Sequence, residues 1–357
     1  MLDVFEAKKF IVACLDTLNT IADKTRVCML CNTKQYYKEN NFYARHNMIS
    51  EYLSLGELSF LMQSLQEHGV YVEHYPDVID FIKYIMSSDW KLKKEFNYIY
   101  ATTQRGTSVG RDSIIPSLCA LLDINVIGSD GYVSSLGNNK YHYSKILESH
   151  NIPIPKTWAY NNETWLTSMP DTDTKIIVKL IKECASVGID DRSVFDFSTC
   201  RENLIAEISK EFHQHVIVQE FIEGYEVEVP LLIHNGIPLS IFPIGIGING
   251  QKRLGDIFLT YDSIYDDKYE FYNFNSENFT LGNRMCRIAE NSAKILNLDG
   301  YARIDFRVDK NQEPYIIDVN HIPHIVEHSS FAYMFDEIGI GGNKILPTLV
   351  GLKHRVS

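Results

Sequence analysis

Four polar residues near the end of the chain alternate with apolar neighbours in two β-rich runs: Arg303 and Asp305 in RIDFRVD, Asp318 and Asn320 in PYIIDVN. The runs flank KNQE, which predicts an antiparallel hairpin. With the turn centred between Asn311 and Gln312, Arg303 faces Asn320 and Asp305 faces Asp318. Side chains alternate along a strand, so all four share one face. The other face carries Ile304, Phe306 and Val308 against Val319, Ile317 and Tyr315, a consistent apolar layer. Two carboxylates and a carboxamide oxygen are hard ligands, suited to Mg²⁺ and poor at selecting zinc. Adjacent carboxylates without a cation repel one another. The alternative is a solvated face with an ordinary Arg–Asp pair.

Immediately downstream, HIVEH (His324 to His328) spells the H-x-x-E-H pattern of one class of zinc peptidases. That chemistry needs a helix to bring both histidines to one side, and a third ligand such as Asp336 or Glu337. His321 precedes Pro323 and would not join that helix face. These histidines are expected to line a pocket or cap a loop. A hard-metal site with few protein ligands shares its coordination with phosphates, and the chain offers groups for them. Lys179 lies in the apolar run KIIVKLI, where a charge is expensive without an anionic partner. CASVG follows it, with small residues whose backbone N–H groups can cradle phosphate. Lys140 opens a predicted helix, where a cation opposes the dipole. GIGING has the G-x-G-x-x-G spelling, but no helix pattern follows it, so a mobile loop is expected there.

The elements that must position these residues fall into three regions. Over 1–127, strand-like RVCMLC, VYVEH, NYIYA and INVI alternate with helical patterns, a layout that implies a parallel sheet with helices on its faces. Residues 128–218 hold the helix NNKYHYSKILESH and the strand KIIVKLI. Residues 219–357 hold HVIVQEFI continuing from the second region, EVEVPLLI, a helix from Asn283 to Leu296, and the hairpin. The expected class is therefore α/β, with α+β character in the later regions. A formal net charge of −12 argues against a non-specific nucleic-acid binder. No apolar run reaches the roughly 18 residues of a membrane span. Cys28 and Cys31 form a CxxC inside a strand, where they point to opposite faces, and the scattered cysteines imply a reducing, cytoplasmic setting.

In order and spacing, four motifs resemble those of the D-alanine–D-alanine ligase branch of the ATP-grasp superfamily. VKLIKECASVG resembles VKP-x-x-x-G-S-S-V-G, and VQEFIEGYEVEV resembles the hinge and nucleotide segment. DDKY resembles the A-K-Y of a closing loop. YARIDF with DVNHIPHIVEHSS resembles R-[IV]-D-F followed by [ED]-x-N-x-x-P-G and a later serine. The resemblance is clear from Gly110 to Gly341. It implies an ATP-grasp fold: an N-terminal parallel-sheet α/β domain (1–127), then two domains (128–218 and 219–357) enclosing ATP.

By that resemblance Lys140, Lys179 and Ser186 bind ATP phosphates. Gln219, Glu220 and Ile222 line the adenine pocket, and Glu226 binds ribose. Asp305, Asp318 and Asn320 hold two Mg²⁺, with Mn²⁺ as the alternative ion. Arg303 steadies the transferred phosphoryl group, Lys268 and Tyr269 belong to the closing loop, and Ser329 meets the carboxylate of the amine substrate. The implied reaction is ADP-forming ligation of amino acids or small peptides through an acyl phosphate, by a protein that is commonly a homodimer and binds neither nucleic acid nor membrane.

Departures cluster where substrates sit. ISEYLS, with Glu51, only approximates the family's E-R-E-V-S. Arg111 stands in place of an acid, Cys184 and Ala185 replace a glycine and a serine, and His324 replaces the glycine after Pro323. These changes predict a different acyl donor, with Arg111 binding an extra carboxylate and His324 beside the amine. Two alternatives stand beside it: the ordinary D-alanine–D-alanine reaction, and a non-catalytic ATP-binding protein.

Overall fold

Thr25–Leu30 is buried along its whole length, as the apolar stretch Val27–Leu30 must be in a strand covered on both faces. In a computed structural model, which describes residues 2–39, 52–87, 94–102, 108–161, 163–184, 186–262, 266 and 268–355, it is a central strand of a parallel four-stranded sheet. Tyr71–Tyr75 flanks it on one side, and Phe96–Ala101 then Asn125–Val126 on the other. Cys28 and Cys31 enter different cores, and none of the seven cysteines forms a disulfide. The helices start where the sequence supplies caps. Asp3 caps Val4–Ile21, Ser54 and Glu57 form a capping box at Leu55–Gln66, and Asp77 caps Val78–Ile85. No helix among the described residues is long and apolar enough to cross a membrane.

The last helix, Ile345–His354, returns to this first sheet and shares its core with Ala7, Ile11 and Cys14. Contact is backbone-close: a Cβ on Gly351 would lie 1.9 Å from the Cys14 carbonyl oxygen. Gly351→Ala must therefore push two helices apart, an overpacking cost of about 1–3 kcal/mol. Chemical denaturation should read that loss, and an unchanged midpoint would show that the helix pair yields freely.

Two antiparallel sheets follow. The five-stranded one runs Thr164–Trp165, Thr157–Asn161, Val216–Glu220, Lys175–Leu180, Val194–Asp196. The main path of the seven-stranded one runs Glu270–Asn273, Ile244–Gly247, Gly224–His234, Gly300–Val308, Pro314–Asn320. Phe279–Ile295, capped by Asn278, packs its apolar stripe against this second sheet, starting four residues earlier than its hydrophobic pattern indicated. The first half of GIGING is not the loop expected of it, while Asn249 and Gly250 form a turn. Ile244–Gly247 is a strand, and Gly245 is glycine because the Tyr272 ring lies over it, 2.1 Å from where a Cβ would stand.

The hairpin pairs Arg303 with Asn320 and Asp305 with Asp318, the register expected from alternation. Beyond Asp305 it departs. A bulge sets Phe306 opposite Ile316 rather than Ile317, and Val308 opposite Pro314 rather than Tyr315. The extra residue, Ile317, turns its carbonyl to Lys179 (3.1 Å), a bulge re-aiming one group toward a site.

Candidate active site

The bulged hairpin and its neighbour form the floor of a cavity of about 270 Å³. Across three strands Glu228, Asp305 and Asp318 stand in one row, with Glu226 and Arg307 in the next. Arg303 grips Asp305 with two bonds of 2.8 Å and lies 3.3 Å from Glu228. Burial opposes the arginine's charge, but the two carboxylates hold it firmly protonated. Glu228 is pushed up to about 7, chiefly by burial and further by Asp305, against the pull of Arg303. Burial also raises Asp305 despite Arg303. Arg307 binds Glu226 (2.8 Å) and the carbonyls of Ile222, Gly255 and Ile257, tying the floor to the cavity rim.

Two lysines reach the floor from elements of the middle region. Lys140, first residue of the helix Lys140–Ser149, places Nζ 2.7 and 2.9 Å from the Asp318 oxygens. Tyr143, one turn on, donates to the same carboxylate at 2.5 Å. Burial disfavours both charges, yet the lysines hold Asp318 well below the usual carboxylate range, and Asp318 raises Lys140. Lys179, from Lys175–Leu180, is lowered to about 8 by burial, with Asp318 opposing.

The remaining expected residues divide. Ser186, Gln219, Glu220, Ile222, Glu226, Asn320, His324, Ser329 and Tyr269 all line the cavity. Ser186 adopts φ +53° and donates to the Leu259 carbonyl (3.1 Å), joining the small-residue loop to another lining residue of the cavity. Gln219 is held by Thr157, and the Asn320 amide oxygen accepts from the Ile322 N–H. Ser329 caps the helix Ser330–Glu337, accepting from the Ala332 N–H at 3.1 Å. Tyr269 and Phe271 pack around the His328 ring.

Two residues stand elsewhere. Lys268 is outside the cavity, two-thirds exposed and paired with Asp266 at 2.7 Å. Arg111 is not part of the cavity lining; it is buried against Glu183 at 3.0 Å. In each case a nearby carboxylate holds the charge. Glu51 and Ala185 lie outside the described residues.

Zinc chemistry at HIVEH lacks its helix, because residues 321–329 are irregular and the helix begins at Ser330. Among the described residues no three histidine, cysteine or carboxylate side chains converge as a metal cluster. The floor offers instead two carboxylates and a carboxamide in register. Asp305 and its neighbour Glu228, both raised by burial, are crowded carboxyls of the kind a divalent cation relieves, whereas Asp318 is already ionised by its lysines. Glu228, Arg307 and Tyr143 were not singled out from sequence. EVEV already put Glu228 on the face of Glu226, and Tyr143 lies one helical turn from Lys140.

A parallel α/β unit followed by two antiparallel sheets that pinch a polar cleft between them is the ATP-grasp fold. The family model described as D-ala D-ala ligase C-terminus matches residues 137–351, and the chain belongs to that family of ATP-grasp, ADP-forming ligases. A D-alanine--D-alanine ligase of Carboxydothermus hydrogenoformans is 30% identical over 250 residues, 67% of this chain and 76% of its own. One from Aquifex aeolicus is 26% identical over 241 residues, 68% and 78% of the two chains. Among solved structures, the D-alanine--D-alanine ligase of Bacillus anthracis superposes with a TM-score of 0.64 at 19% identity, covering 93% of this chain and 98% of its own. The VanG D-Ala:D-Ser ligase of Enterococcus faecalis gives 0.64 at 17% identity, covering 92% and 99%.

Proposed function

We propose that this chain joins two amino acids by ATP-dependent carboxylate–amine ligation of the D-alanine–D-alanine type, releasing ADP and phosphate. One observation carries the reading. Arg303, Asp305, Asp318 and Asn320 form a charged floor in register, and Lys140 and Lys179 converge on it from the opposite sheet and helix. A carboxylate is a poor electrophile, so it must first take the γ-phosphoryl group of ATP. Lys140 and Lys179 are placed to meet the phosphates, and Arg303 to offset charge on the transferring group. Asp305, Asp318 and Asn320 would hold magnesium, which supplies charge neutralisation of the phosphates. The amine then attacks the acyl phosphate, with Ser329 and the start of Ser330–Glu337 set to hold its carboxylate. Tyr269 closes that end against water.

We further assign residues 1–127, 128–218 and 219–357 to the donor-side, central and metal-bearing parts. D-alanine in both positions is favoured over the altered donor read from the sequence. Arg111, one of the departures behind that expectation, is taken up by Glu183, and the curated relatives carry the D-alanine name. The test is ADP release from ATP and D-alanine. We expect it to stop on chelation of divalent cations with EDTA and to return with excess Mg²⁺. Undiminished release under chelation would remove the metal from the floor.

A further inference from the structure

Arg111 and Asp112 are adjacent residues in the turn Arg111–Ser113, and they face opposite neighbours. Arg111 is 3% exposed. Its Nη2 donates to Glu183 Oε2 at 3.0 Å and to the Lys182 carbonyl at 3.4 Å, and its Nη1 lies 3.5 Å from Glu183 Oε1. Gln214 donates to Glu183 from the far side at 3.0 Å. Glu183 leads into the loop that carries Ser186. Asp112, 3.5 Å from the Arg111 guanidinium, accepts from Asn138 Nδ2 at 2.7 Å. Asn138 precedes Asn139, whose side chain caps the helix that begins at Lys140. The Lys140 N–H in turn donates to the Ile181 carbonyl. One chain, Gln214–Glu183–Arg111–Asp112–Asn138, buried at Glu183, Arg111 and Asn138 and half-buried at Gln214 and Asp112, thus joins the base of the small-residue loop to the base of the lysine-bearing helix.

We propose that Arg111 is a positioning residue for nucleotide: paired with Glu183, it fixes the small-residue loop relative to Lys140, so that both phosphate-facing elements keep one spacing. The inference rests on the ATP reading above. Its physical basis is that a buried ion pair contributes little net stability compared with an apolar pair of similar size. What a multiply bonded arginine–carboxylate contact adds is geometry. Displacement of about 1 Å in a group that positions substrate can cost roughly a hundredfold.

The test uses the 357-residue chain and three variants: Arg111→Met, Glu183→Met and the double variant. Mg·ATP affinity is measured by calorimetry, and Tm without nucleotide beside it. Each single variant is expected to bind Mg·ATP about tenfold more weakly, and the double variant no worse than either, because coupled residues do not lose additively. The double variant, with neither charge left alone, is expected to regain most of its Tm while its affinity stays low. That separation distinguishes positioning from mere support. A double variant that binds Mg·ATP within about twofold of the unaltered chain, or affinity losses that only follow Tm, would overturn the proposal. Failure of the unaltered chain to bind Mg·ATP would instead sink the ATP reading, and the positioning role with it.

Discussion

Asp318→Asn should lower turnover by about a hundredfold to a thousandfold while leaving the chain folded. The substitution keeps the size and much of the hydrogen bonding of the side chain but removes the charge on which Lys140, Lys179 and Tyr143 converge. Asp318 faces Asp305 across the hairpin, so its loss halves the carboxylates available to a divalent cation. Preorganised groups that stabilise developing charge contribute on that scale in enzymes. The measurement is the initial rate of ADP release at saturating ATP and D-alanine. A variant keeping more than about a tenth of the original rate would move the metal away from Asp318.

Lys140→Met should cost stability and nucleotide together. The lysine side chain is 8% exposed and makes two short bonds to Asp318. Removing it strands a carboxylate that keeps Lys179, Tyr143 and the Val319 N–H nearby. Breaking one side of a buried pair costs about 3–5 kcal/mol, and the lower end applies because Asp318 retains those partners. Urea unfolding should show a loss of about 3 kcal/mol, and Mg·ATP should no longer raise the Tm. The double variant with Asp318→Asn should recover part of the loss, since neither charge is then left alone. A Lys140→Met protein as stable as the original, and still stabilised by Mg·ATP, would mean that this lysine is only a surface-type contact drawn inward.

Much of this site was legible from residue order because strand alternation is strict. Period two alone placed Arg303, Asp305, Asp318 and Asn320 on one face, and the structure pairs them in that register. What period two cannot show is an extra residue. The bulge at Ile317 leaves the first pairs intact and shifts the rest, and it also supplies the carbonyl that holds Lys179. Charged residues far apart in sequence were the other blind spot. Arg111 and Glu183 are 72 residues apart, and nothing local to either foretells the pair. Lys268 stands outside the cavity beside an acid two residues away, a pairing that strand alternation does not reveal. Glu228 was readable but overlooked, since the alternation that exposes Glu226 to the cleft exposes it as well. The C-terminal helix shows a limit of reading regions in chain order: Ile345–His354 comes last in the sequence, yet its core partners come first.

The most direct test of ligation is mass spectrometry of the products formed from ATP, Mg²⁺ and D-alanine, with other D- and L-amino acids in paired combinations and Asp318→Asn as control. The prediction is ADP together with a product whose mass equals two alanines less one water, absent with the variant. ATP binding with neither ADP nor any condensed product across the panel would contradict ligation, and would leave a protein that uses this cleft only to hold nucleotide.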